Sequence, residues 1–219
     1  SRGLGDVYKR QVATSLSSFE SYQIYEAWTW EHLALTIGRT ITGKKSFCIK
    51  VEKMRQKILA GKANWAHVHK AIKNMRTRLE DSKPQTHVWD IKRGPGGLQD
   101  IELLAQGIAL AGGCYECDTG SQLYSGIKAT FFDPIKLNKL VKIFEFYSHV
   151  RLINVLMCGR DLNRSELVLG ARERLYQIIE FDGEVDLEQV LISSRLQCIK
   201  TIDSVLMDTK GLNNVDKRS

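Results

Sequence analysis

WDIKRGPGGLQDIELLAQ, residues 89–106, joins a glycine-rich turn directly to an amphipathic run. A short apolar stretch (Val88, Trp89, Ile91) meets the basic pair Lys92 and Arg93, then Gly94-Pro95-Gly96-Gly97, then the carboxylates Asp100 and Glu102. Glycine admits left-handed or crowded backbone, and proline fixes φ and removes a donor. Leu98, Ile101, Ala105 and Ile108, with Leu104 beside them, recur at helical spacing and mark one face for burial. Acidic residues in the first turn suit the unpaired N–H groups of a helix start. On a helix, residues two apart diverge by about 200°, so Asp-Ile-Glu reads as capping and ion pairing to Lys92 or Arg93 rather than as a metal pair. The stretch predicts a rigid loop at a helix entrance, and an all-α fold follows from extending the same periodicity both ways.

Upstream, Lys44–Leu79 reads as two helices. Phe47, Val51, Met54 and Ile58 form one stripe, ended by Gly61; Asn64 caps a second, striped by Trp65, Val68, Ile72, Met75 and Leu79. This segment holds eleven Lys or Arg against one acid, Glu52, so it outweighs the +7 charge of the whole chain. Such a face attracts phosphates, nucleic acid or an acidic protein, or is merely solvated. Trp65 and Phe47 lie on the apolar stripes, which leaves no stacking platform and makes nucleic acid a poor fit. Before it, Ser17 and Glu20 have capping-box spacing, and apolar residues from Phe19 to Ile41 predict one long helix. Trp28-Thr-Trp30-Glu31-His32 within it reads as aromatic packing with a polar edge. Arg39 is open between phosphate or partner contact and an ion pair.

Downstream, residues 112–126, with four glycines, read as an exposed connection. Asp133-Pro134 starts a broad apolar helix ending near Gly159, expected at the centre of the bundle. Two more helices are expected, about Glu166–Phe181 and, capped by Asp186, Leu187–Met207. The expectation is thus a bundle of about six to seven helices.

With 219 residues, 43% hydrophobic and 26% charged, the chain can bury a sizeable core, and no apolar run approaches membrane length. Five scattered cysteines and no visible secretory signal fit reduced thiols in the cytoplasm. Cys114-Tyr-Glu-Cys117 lacks the second pair that a zinc site needs. No Walker loop, Ser/His/Asp set or metalloprotease helix occurs.

Trp28-Thr-Trp30-Glu31-His32-Leu-Ala-Leu-Thr36, Met75-Arg76, and above all Asp90-Ile-Lys92 with Gly96-Gly97-Leu-Gln-Asp100-Ile-Glu102-Leu-Leu-Ala-Gln106 carry a resemblance. They resemble the C-terminal half of glutamine synthetase adenylyltransferases, from near Ala13 to about Gly113 and more loosely beyond. The uridylyltransferase that modifies PII is similar at greater distance. The resemblance implies a parent enzyme that uses ATP and magnesium to move AMP onto a tyrosine of glutamine synthetase, a paralogous half removing it. The family's metal-binding carboxylate segments do not occur in these residues, so no catalytic or metal-binding residue is assigned here. Implied partners are glutamine synthetase and the signalling protein PII, with no membrane.

The expected organisation is a non-native adapter over 1–11, the closing helix of an upstream nucleotidyltransferase domain over 12–43, a helical regulatory or docking domain over 44–210, and a frayed tail over 211–219. Arg39, Lys92, Arg93, Gly96 and Gly97 are the candidate phosphate or partner contacts; Trp30, Glu31, Asp100, Glu102 and Gln106 are the candidate structural motif.

Overall fold

The computed structural model describes residues 14–62, 64–128, 132–159, 177 and 186–207. Among them are eight helices and no strand: α1 Leu16–Tyr25, α2 Thr29–Thr36, α3 Lys45–Ala60, α4 Trp65–Ser82, α5 Leu98–Gly112, α6 Thr119–Lys128, α7 Pro134–Cys158 and α8 Leu187–Met207. The fold is all-α. The adapter over 1–11, the helix expected over Glu166–Phe181 and the tail over 211–219 lie outside the described residues, apart from residue 177, which is helical.

Local chemistry sets the helix starts. The Asn64 side chain accepts from His67 N–H at 3.2 Å, Asp133 from Ile135 N–H at 2.9 Å ahead of Pro134, and Asp186 from Glu188 N–H at 3.3 Å. Left-handed glycines, Gly113 and Gly159, end α5 and α7.

The centre is α5, not α7 as expected. Ten of its fifteen residues are buried, and it packs on α2, α4, α6, α7 and α8. Ile101, Leu104, Ala105 and Ile108 meet Val68 and Ile72 of α4, Leu123 of α6, Tyr147 of α7 and Ile202 of α8 in one core. The breadth of the α7 stripe has another meaning: Ile135, Leu152 and Leu156 of that helix are exposed.

Two further expectations are corrected. The single helix from Ser17 breaks at Glu26–Trp28, and Ser15 rather than Ser17 caps its first part. The break is held by Glu31, which accepts from Trp28 N–H at 2.8 Å and from the Tyr22 hydroxyl at 2.7 Å, starting a new helix where the 3.6-residue periodicity ran straight through. The glycine-rich connection over 112–126 contains α6, capped by Asp118, which accepts from Ser121 N–H at 2.8 Å. Its glycine serves close packing: a Cβ at Gly126 would lie 2.6 Å from Ile108 Cγ2 and 2.9 Å from Leu137 Cδ1.

Candidate functional site: a glycine loop clamped by two arginines

The loop before α5 turns through Gly94 (φ +76°) and Gly96 (φ +72°), both left-handed. A Cβ at Gly96 would also strike Arg195 O and Ile199 Cγ1, each at 2.7 Å. The loop therefore lies hard against α8. Its carbonyls are gathered by one side chain: Arg195 donates to Asp90 O at 2.6 Å, and to Arg93 O and Pro95 O at 2.9 Å each. Arg195 is only 9% exposed, and burial lowers its pKa. Just before the loop, Trp89 Nε1 donates to Glu188 at 2.8 Å, a second tie to α8.

Arg76 of α4 supplies the other clamp. It holds both oxygens of Asp100, at 2.6 and 3.0 Å, and reaches Asp203 of α8 at 2.8 Å. Burial alone would lower the Arg76 pKa; Asp100 and Asp203 together outweigh it and raise it. Asp100 also accepts from Gly96 N–H at 2.8 Å. The expected partners, Lys92 and Arg93, are not the ones used by Asp100. Arg93 instead lies 4.0 Å from Asp90, half-exposed. Lys92 lies near Glu102, whose pKa burial raises while Lys92 and Arg151 pull it down.

The helix entrance is fully occupied from within. Gly97 N–H donates to Gly94 O, Leu98 N–H to Ile91 O at 2.9 Å and Gln99 N–H to Lys92 O at 3.1 Å. With Gly96 N–H on Asp100, the donors that would cradle a phosphate are spent on the protein itself. Gly96 and Gly97 thus build the loop, their N–H groups committed within it. Beside the loop, a cleft of about 400 Å³ is lined by Lys73, Arg76, Glu80, Pro95, Gln99 and Asp203, among others.

Magnesium does not fit these residues. Both Asp100 oxygens are engaged, Asp203 is on Arg76, and among the described residues no three His, Cys, Asp or Glu side chains are grouped to hold a metal.

Elsewhere, Arg39 is exposed and Gln106 half-buried. The tryptophans do not pack as expected: Trp28 is 71% and Trp30 42% exposed, because the helix break turns them outward. Three partners are not legible in the sequence: Arg195, Asp203, and Arg76 as the partner of Asp100. The signal for Arg195 was its place on the buried stripe of α8 with Leu191, Cys198 and Ile202, where a solvated arginine would not sit. A third arginine, Arg55, was counted among surface charges but is 4% exposed; it binds Glu52, Thr36 O and Tyr115 O.

Residues 66–206 match the family model described as GlnD PII-uridylyltransferase, and residues 8–54 the one described as Glutamate-ammonia ligase adenylyltransferase. A relative from Bartonella henselae is 42% identical over 211 residues, 94% of this chain and 21% of the relative. Its name is bifunctional glutamine synthetase adenylyltransferase/adenylyl-removing enzyme. The chain belongs to the glutamine synthetase adenylyltransferase family. Relatives of the same name from Mesorhizobium japonicum (31% over 201 residues) and Rhizobium meliloti (41% over 135 residues) cover 90% and 60% of the chain. The chain spans about a fifth or less of these adenylyltransferases' own length. Among its described residues no helix is long and apolar enough to cross a membrane.

Proposed function

We propose that this chain is the helical regulatory and docking region of a cytoplasmic glutamine synthetase adenylyltransferase, the part that holds a partner while a separate catalytic domain transfers AMP. The parent reaction moves AMP from ATP, with magnesium, to a tyrosine of glutamine synthetase; PII is a further partner. The observation that supports this reading is the clamp. Arg76, Asp100, Arg195 and Asp203 tie α4, α5 and α8 into one body around the glycine loop, and every acidic group in it is engaged in structure. A loop so fixed presents a constant outline, with half-exposed Arg93 on its rim, and contributes shape rather than chemistry. Residues 12–43 are the segment that closes the upstream domain in this reading.

Incubating the chain with glutamine synthetase, ATP and magnesium is expected to give association on a sizing column and no labelling from [α-³²P]ATP. Robust AMP transfer, or no association, would overturn it.

A further inference from the structure

The helix break at Glu26–Trp28 builds a second surface on the opposite side of α4 from the clamp residues' cleft. Trp28, Trp30 and Thr29 face Ala71 and Met75 of α4 across a groove of about 250 Å³, rimmed by His67, Lys70 and Arg78. Thr29 and His67 also line an adjoining hollow of about 420 Å³, bordered by His32, Lys62 and Asn64. Together they form a trench whose lining includes three cations and no carboxylate.

Three observations point to one kind of occupant. First, Trp28 stands in the open: Glu31 fixes its backbone and the Tyr22 hydroxyl fixes Glu31, and the large ring attached to that fixed backbone is presented to solvent. Exposed, preorganised tryptophans are the residues on which binding energy concentrates in protein interfaces. Second, the groove is sized for an apolar side chain, with Met75 and Ala71 as its wall. Third, the cations that line the trench, Lys62, Lys70 and Arg78, meet no carboxylate in its lining, so the local field favours a negative partner. The apolar wall of Ala71 and Met75 favours a protein side chain over a nucleic-acid backbone.

We propose that the Trp28–Arg78 trench docks an acidic segment of a partner protein, seating one aromatic or aliphatic side chain between Trp28 and Met75 with flanking carboxylates at Lys70 and Arg78. The assignment rests on the docking role proposed above and locates it.

The probe is a fluorescein-labelled peptide of alternating Glu and Asp around a central Leu-Tyr, titrated into the 219-residue chain by anisotropy, with intact glutamine synthetase as competitor. Binding is expected to weaken about tenfold or more in Trp28→Ala and in Lys70→Glu/Arg78→Glu, and to fall as salt is raised. Circular dichroism of each variant should match the parent, since these side chains are exposed. The same peptide with Gly-Gly at its centre should bind about tenfold more weakly. Equal binding to parent and variants, no binding to the parent, or tighter binding of a single-stranded oligonucleotide that displaces the peptide would overturn the trench. If glutamine synthetase associates with the chain equally in parent and charge-reversed variants, the trench falls and the docking role stands. If it associates with neither while the peptide binds as expected, the docking role to that enzyme falls and the trench stands.

Discussion

The cations of α8 and α4 that face the loop and the cations that coat α3 and α4 are the same residue types put to opposite use. Arg195 is buried and Arg76 partly so, at 19% exposure, and each meets two or more oxygens at hydrogen-bond distance. Lys57, by contrast, stands 71% exposed on a single contact to Glu20 at 2.8 Å. A buried guanidinium spent on carbonyls is committed to architecture; a solvated amine is available to a partner. Net charge therefore says little about function until each cation is placed on its face of its helix. Arg55 makes the point from within the basic segment, because it belongs with the buried group.

Replacement of Arg195 by Leu is expected to do the greatest damage. Three carbonyls of a packed loop lose their donor, at about 1–3 kcal/mol for each left unsatisfied, so urea unfolding should register roughly 3–5 kcal/mol. A loss no larger than that of a surface substitution would erase the contrast between the two groups of cations.

A pH experiment sharpens it. His32 is buried with Nε2 2.8 Å from Gln23 O, and burial lowers its pKa below 6.5. The unfolded chain then binds the proton more readily, so this stability is complete above about pH 6.5 and declines as pH falls toward the folded-state pKa. His32→Gln should flatten that slope in melts recorded across the window; a slope unchanged in the variant would show that some other group controls it.

The smallest effect is expected at Lys57→Ala. Its ion pair to Glu20 is in solvent, and the unfolding midpoint should not move measurably in moderate salt.

Much of the fold could be read from periodicity and punctuation. The stripes of α4, α5 and α8 are regular, and Asn64, Asp133 and Asp186 are caps by residue type alone. That of α3 holds at Met54 and Ile58 but not at Phe47, which is 53% exposed because it lies in the first turn, away from the core. What failed had no local signature. The Glu26–Trp28 break keeps the apolar spacing on both sides, and only Glu31, three residues beyond Trp28, hinted at a restart. In α6 the glycines suggested a loop, whereas Gly126 is there so that Ile108 and Leu137 can approach. The turn at Gly94–Gly97 is legible directly, but the partners that hold it are not. Asp100 is bound by an arginine 24 positions earlier, and the loop carbonyls by one about a hundred later. Which of many basic residues reaches a given carboxylate is decided by helix packing, which spacing along the chain does not encode.

The tie between Arg195 and Asp90 O spans 105 positions. A ribosome releases the turn long before the guanidinium that fastens it, so until α8 emerges the nascent turn is held by its own backbone bonds alone. A stop codon between the turn and α8 would leave three loop carbonyls without that donor, so a helix made late acts as the check on a turn made early.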